Sequence, residues 1–420
     1  MNLHLSTKST SAERPRSLWS AGLAAIAGLA IAAGSLAGAQ AATVTAPSDG
    51  GPALRPSQLN WRPRFVTLRH PRLDITALRT QAAAGATVPF WTSNITSPLD
   101  RRTYTTSMVG SSPFAASKTN TVVSYVPIVL KIRFRNGTVL DPTAPALCDT
   151  VPVETRFFNS PMFQPVSVSS NGVNVSAGAA GGTQVESAFQ RANFWSSVAG
   201  SGYGVTLTPS RAPIVLTVNA PAGASIGYVS LPCGGVYRTV PIGEIGINQF
   251  DALIESLIHS YATPAQLPIF LTYDVVQTEN GCCIIGYHNA VPVAGGTQTY
   301  AVGSYVDTGI FQGIQDVSVW SHELGEWMDD PFVQASVPGG GSDDLTPAWG
   351  NVGQDSGCQN NLEVGDPLTG TLFAIAVSGG FTYHIQDLAF HDWFYRTAAS
   401  GTGGKYSFMG VFTTTQRVCS

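Results

Sequence analysis

The sequence predicts an α+β fold, with a β-rich N-terminal part followed by a mixed sheet that positions one functional helix. Three observations point there. Short runs rich in Val, Ile, Tyr and Thr recur between Gly, Asn and Pro, as in TVVSYVPIVLKIRF at 121–134 followed by Asn136-Gly137. From about 247 to 330 the pattern becomes helix, three strands, helix. Only 11% of residues are charged, against about 25% in typical soluble proteins. A low-charge surface rich in Gly, Ser, Thr and Asn suits an extracellular β-rich protein.

The chain opens with Lys8, Arg14 and Arg16, then an apolar stretch over about 18–36, then Ala39-Gln40-Ala41. That order predicts a secretory signal peptide cut after Ala41, with an uncleaved N-terminal anchor as the alternative. No later stretch reaches about 18 consecutive apolar residues, so no further membrane span is expected. The protein is read as secreted or periplasmic. Losing 1–41 turns 22 basic and 26 acidic residues into 19 and 25, a net charge of −6. Such a balance lacks the basic stripe that nucleic acid demands.

Residues 42–118 read as an extended, β-rich arm, with Trp61, Phe65, Phe90, Trp91, Tyr104 and Phe114 as anchors onto a body. Whether this arm is a propeptide stays open. The main α+β domain takes 119–420, with a helix at 184–198 and strands and turns over 202–237. Six cysteines in an exported chain predict three disulfides. Cys358–Cys419 is the preferred pair, because it ties the loop carrying Glu363 to the C-terminus. Cys282 and Cys283 either bridge each other or bond separately to Cys148 and Cys233.

The chemistry concentrates at 321–331 (SHELGEWMDDP). Pro331 ends a helical run and two acids precede it, which predicts a helix over about 314–329. His322 and Glu326 stand at i and i+4 on one face, and Glu323, rotated by about 100°, reaches the rim. An imidazole and a carboxylate at that spacing chelate a divalent cation, and a carboxylate beside them can deprotonate water. With seven histidines and nine glutamates in 420 residues, chance yields H-E-x-x-E about 0.003 times. A solvated acidic helix face is the alternative.

This helix resembles the H-E-x-x-H helix of zinc peptidases, with Glu326 in place of the second histidine. The order before it is also similar to that of the zincin metallopeptidases: a helix at 248–260, strands near 267–276, 283–288 and 298–306, then the metal helix. The likeness covers about 250–395. It implies a zincin-like mixed sheet whose last strand is an edge lining the substrate cleft, and a third ligand downstream. Glu363, in Asn361-Leu362-Glu363-Val364-Gly365-Asp366-Pro367, fits that place with Asp366 supporting it; an ordinary acidic turn is the alternative. More remotely, the two motifs resemble the plant phosphate-induced (EXORDIUM-type) secreted proteins, where an H-E-L-A-E helix precedes an acidic turn.

The resemblance implies a secreted metallopeptidase acting on extracellular protein or peptide. His322, Glu326 and Glu363 would bind Zn²⁺ or another divalent cation, Glu323 would serve as general base, and Tyr383 or His384 would stabilise the oxyanion. A His/Glu/Glu set is harder than His/His/Glu, and acidifies bound water less. A non-catalytic, metal-stabilised cell-surface or matrix interaction protein is the alternative. Asp329 is expected to cap or support the site. Asp343 and Asp344 are expected in a solvated loop, with calcium binding as the alternative. His288 is read as core or cleft wall, and His70 and His259 have no partner signal.

Overall fold

The computed structural model describes residues 61–68, 73–176, 182–351, 353–354, 357–416 and 419. The expected signal peptide, the start of the arm and His70 lie outside the described residues. The chain runs through β1 (Arg64–Phe65), α1 (Ile75–Ala83), the hairpin β2 (Phe90–Thr96) and β3 (Thr103–Val109), then β4 (Asn120–Arg133) and β5 (Val139–Leu140). Next come α2 (Val153–Phe158), β6 (Ser169–Ser170), β7 (Val173–Asn174), α3 (Val185–Asn193), α4 (Trp195–Val198), β8 (Gly204–Pro209) and β9 (Ile214–Asn219). They are followed by β10 (Ser225–Cys233), β11 (Val236–Gly246), α5 (Ile247–Tyr261), β12 (Leu267–Tyr273), β13 (Val275–Thr278), β14 (Ile284–Val293), β15 (Gly296–Phe311) and β16 (Ile314–Asp316). The last elements are α6 (Ser318–Asp329), β17 (Leu345–Asn351), β18 (Gly357–Asn361), β19 (Leu372–Ala376), β20 (Thr382–Gln386) and α7 (His391–Tyr395).

A curled, mixed 12-stranded sheet has the order β10-β11-β13-β14-β15-β12-β4-β5, with β1, β8, β9 and β16 paired off that path. Its central strands are apolar on both sides because both faces are covered. Along β4, Val123, Tyr125 and Val129 enter the core beneath α6, while Val126, Ile128, Leu130 and Ile132 enter the opposite core with α5. The α+β class and the order α5, strands, α6 agree with expectation. The edge position does not: β15 lies between antiparallel β14 and parallel β12. With 16 residues it is long enough to serve both neighbours, so it forms the interior of the sheet.

Helix α6 begins at Ser318, about a turn later than expected, because Ile314 and Asp316 pair back onto β15. All twelve of its residues are buried, which excludes the solvated-face reading. Glycines allow its close approach. A Cβ on Gly303 would lie 2.9 Å from the Trp320 ring, and one on Gly286 would lie 2.6 Å from Glu323 Oε1.

The arm is less extended than expected, since α1 forms within it, capped by Asp74 accepting from the Ala77 N–H at 2.9 Å. Its aromatic residues do anchor: Phe90 against Phe332, Trp91 against Phe194, Tyr104 near Tyr395 and Trp61 near Phe311. Phe114 is 60% exposed despite its edge contacts. The expected 184–198 helix breaks at Phe194 into α3 and α4.

Three disulfides join Cys148 to Cys233, Cys282 to Cys283 and Cys358 to Cys419. The last is the preferred pair, and the vicinal arrangement is the one adopted. Links spanning 85 and 61 residues each remove about 4–5 kcal/mol of unfolded-chain entropy in the loop-closure account. Disulfides of this kind belong to an oxidising, extracytoplasmic compartment. Among the described residues no helix is long and apolar enough to cross a membrane.

Candidate metal centre

Helix α6 presents His322, Glu323 and Glu326 toward β14 and the turn after β18. His322 Nε2 lies 3.0 Å from Glu326 Oε1 and 3.6 Å from Asp366 Oδ1, but off the axis of a hydrogen bond. Glu326 Oε1 accepts the backbone N–H groups of Gly365 at 3.0 Å and Asp366 at 3.3 Å, which fixes the 363–366 turn against the helix. Gly365 is required there, since a Cβ would sit 2.5 Å from His322 Nδ1. The turn thus delivers Glu363 to the same cluster and brings Asp366 Oδ1 to 3.6 Å from His322 Nε2.

His288 is a member of this cluster that the sequence reading left as core or cleft wall. It stands on β14 two residues after Gly286, on the face that α6 covers. Its Nε2–H donates to the Asp330 carbonyl at 2.9 Å. Nδ1 is then an acceptor, in contact with Glu323 Oε2 at 3.4 Å and 4.0 Å from Glu326 Oε2. A lone pair facing carboxylate oxygens is repulsive unless a cation or a proton lies between them. The available signal was the alternation Gly286-x-His288, a small residue and an imidazole on one strand face.

The ligand atoms fall into two overlapping groups, each within 4.8 Å: His288, Glu326 and Glu363, and His322, Glu323 and Glu326. The structure therefore brings all four predicted residues together but regroups them, with Glu363 beside His288 and the expected base Glu323 beside His322. Every member is nearly dry, from 0% exposure at His322 and Glu323 to 4% at His288 and Glu363. Among the described residues, no Lys or Arg forms an ion pair with Glu323, Glu326 or Glu363. His322 Nε2, Glu323 Oε1 and Glu363 Oε2 are buried without hydrogen bonds. Orphaned, charge-dense groups of this chemistry fit a divalent cation.

Without a cation the electrostatics are unfavourable. Burial pushes Glu326 up to about 8 against the pull of the Gly365 and Asp366 N–H groups. Burial and then the Glu326 charge push Glu363 up to about 7. Glu323 is held well above the usual carboxylate range by burial and by its acidic neighbours. Burial drives His322 down to about 3 and lowers His288 as well. Neutral imidazoles are what metal ligation requires.

No family model, curated protein or solved structure matches this chain. The zincin likeness therefore rests on the sequence motif and the order of elements alone.

Gln386, at the end of β20, touches His322 Nδ1 at 2.7 Å and the Gly365 carbonyl at 2.9 Å through Nε2. The Gly365 carbonyl fixes this nitrogen as a donor, so His322 Nδ1 accepts from it and His322 Nε2 faces Glu326 and Asp366. Nothing in the spacing of the sequence marks Gln386 for this position. The two residues expected at the oxyanion turn elsewhere. His384 Nδ1 bonds Asp316 Oδ2 at 2.6 Å, and the Tyr383 hydroxyl donates to the Arg156 carbonyl at 2.8 Å. On β20 they serve neighbouring elements, and neither hydrogen-bonds the cluster.

The remaining acids also find places. Asp329 pairs with His391 Nε2 at 3.1 Å and accepts from Gln190 at 2.9 Å, behind the helix. Asp343 and Asp344 are fully buried rather than solvated, because both bind Ser107 of β3.

A cover lies over the centre. The Phe65 ring stacks on His322 with centroids 3.3 Å apart and planes 12° from parallel. Thr67 Oγ1 donates to Glu363 Oε1 at 2.5 Å. β1 adds in parallel to β14, with Arg64 opposite Ile284 and Phe65 opposite Gly286. Beside it, a cavity of about 370 Å³ is lined by Phe65, Thr67, Asn361 and Asp366.

Proposed function

We propose that this protein is an exported, metal-dependent hydrolase of the peptidase type, its cation held among His288, His322, Glu326 and Glu363. The observation that carries the reading is the buried set of imidazoles and glutamates with orphaned ligand atoms and, among the described residues, no cationic side chain paired to the glutamates. Zn²⁺ is the first candidate, and the excess of carboxylate makes Mn²⁺ the next. Such an ion supplies Lewis acidity toward a carbonyl oxygen and toward water. Glu323, beside the ligands on α6, takes the proton from water and passes it to the leaving amine. His288 and Glu326 stay oriented through the Asp330 carbonyl and the Gly365 N–H.

A peptide reaches these groups only when residues 61–68 withdraw, since Phe65 covers His322. This cover is what favours the second reading, a metal-stabilised extracellular interaction protein in which the centre never opens. Peptide hydrolysis by wild type and by Glu323→Gln, with and without limited proteolysis of the arm, separates the two. The enzyme reading expects turnover, raised by removal of the cover and lost in Glu323→Gln. Absence of turnover from metal-loaded protein lacking the cover leaves the structural reading.

A further inference from the structure

Glu326 belongs to both groups of ligand atoms: with His288 and Glu363 on one side, and with His322 and Glu323 on the other. Its two oxygens point to the two sides. Oε1 lies 3.0 Å from His322 Nε2, and Oε2 lies 4.0 Å from His288 Nδ1. A carboxylate placed this way between two imidazoles has the form of a bridging ligand.

Charge points the same way. Glu323, Glu326 and Glu363 carry three negative charges when ionised, and among the described residues no Lys or Arg pairs with them. One divalent cation leaves one of those charges unbalanced in a pocket where no member exceeds 4% exposure. Residual charge in so dry a pocket is costly, and a second divalent cation offsets it. Each imidazole also has its remote nitrogen engaged, His288 Nε2 by the Asp330 carbonyl and His322 Nδ1 by Gln386. That leaves Nδ1 of His288 and Nε2 of His322 facing the cluster, each on its own side.

We propose that the cluster is a two-cation centre bridged by Glu326, one ion on His288 and Glu363 and the other on His322 and Glu323. It rests on the metal-centre reading above, and replaces the base role given there to Glu323 with that of a ligand to the second ion. Metal-ion pairs bridged at about 3.5–4 Å are a recurrent arrangement in hydrolytic sites.

The test is stoichiometry. The mature protein is stripped with chelator and dialysed against ZnCl₂ or MnCl₂, and bound metal is counted by mass spectrometry for wild type, His288→Ala and Glu323→Gln. Two equivalents in wild type and one in each variant is the expected result. Saturation of wild type at one equivalent overturns the two-cation centre and leaves the hydrolase reading standing. No bound metal overturns both. Two equivalents that persist in both variants place the ions elsewhere and also overturn the proposal. If the variants do not fold, calorimetric titration of the stripped wild type decides alone: two binding steps are expected, and one overturns.

Discussion

Two histidine–carboxylate pairs sit within two turns of each other around α6, and they are built for opposite ends. At the helix start, His384 pairs with Asp316 at 2.6 Å, and Asp316 also accepts the His384 backbone N–H at 3.0 Å. The imidazole is 31% exposed, and the bond to Asp316 raises its pKa. At mid-helix, His322 meets Glu326 with no exposure, without a proper hydrogen bond and with its pKa driven down to about 3. The first pair is complete as it stands. The second has the right groups in the wrong electrostatic state, and a metal ion would correct that. Proximity alone does not mark a site; unsatisfied proximity under burial does.

The sharpest way to break this contrast is Glu326→Gln, which removes the carboxylate shared by both groups. Metal affinity should fall by more than about 100-fold, and any hydrolysis with it, as measured by equilibrium dialysis. Unchanged affinity would mean that α6 holds no ion.

Phe65→Ala comes next. Truncating a buried aromatic ring should cost about 3 kcal/mol in denaturant unfolding. It should also speed metal removal by chelator, because the His322 face becomes open. Gly365→Ala forces a methyl group against the His322 ring and should cost about 1–3 kcal/mol, with weakened metal binding.

The pH dependence of stability should separate the stripped and loaded forms. In the stripped protein, Glu326 near 8 and Glu363 near 7 hold protons well above their ordinary value of 4.5. Their contribution is fully present below that value and lost as pH rises through 7–8, so the stripped protein should melt at lower temperature at pH 8.5 than at pH 5. With zinc bound the trend should reverse, because the ion favours ionised carboxylates. Parallel melting curves for the two forms would contradict the ligand assignment.

The smallest effect belongs to His384→Asn. A partly exposed pair screened by solvent contributes under about 1 kcal/mol, and metal content should not change. Since the folded pKa of His384 is raised, the pair's stabilisation is present below about 6.5 and fades as pH rises through the folded value. The deficit of the variant should shrink accordingly.

Local periodicity made α5, the strands after it and α6 legible, because i/i+4 and alternating patterns register directly in the sequence. Glu363 was legible as an acidic residue at a glycine turn. His288 was not, because its role depends on which face of β14 the helix covers, a tertiary fact. Tyr383 and His384 misled for the same reason, since strand alternation and neighbouring elements decide where their side chains turn. The interior position of β15 was equally hidden, because pairing partners far apart in the chain set sheet order.

The glycines around the centre bear on how relatives of this chain are to be recognised. H-E-x-x-E is a short string, but Gly286 admits Glu323, and Gly365 admits His322. A composite signature of G-x-H on a strand, H-E-x-x-E on a helix, E-x-G-D in a turn and a later glutamine therefore encodes a steric fit as well as a ligand set. A chain that carries the helix motif but a bulky residue at either glycine cannot close in this way, so the composite pattern should reject chance matches that the helix alone lets through.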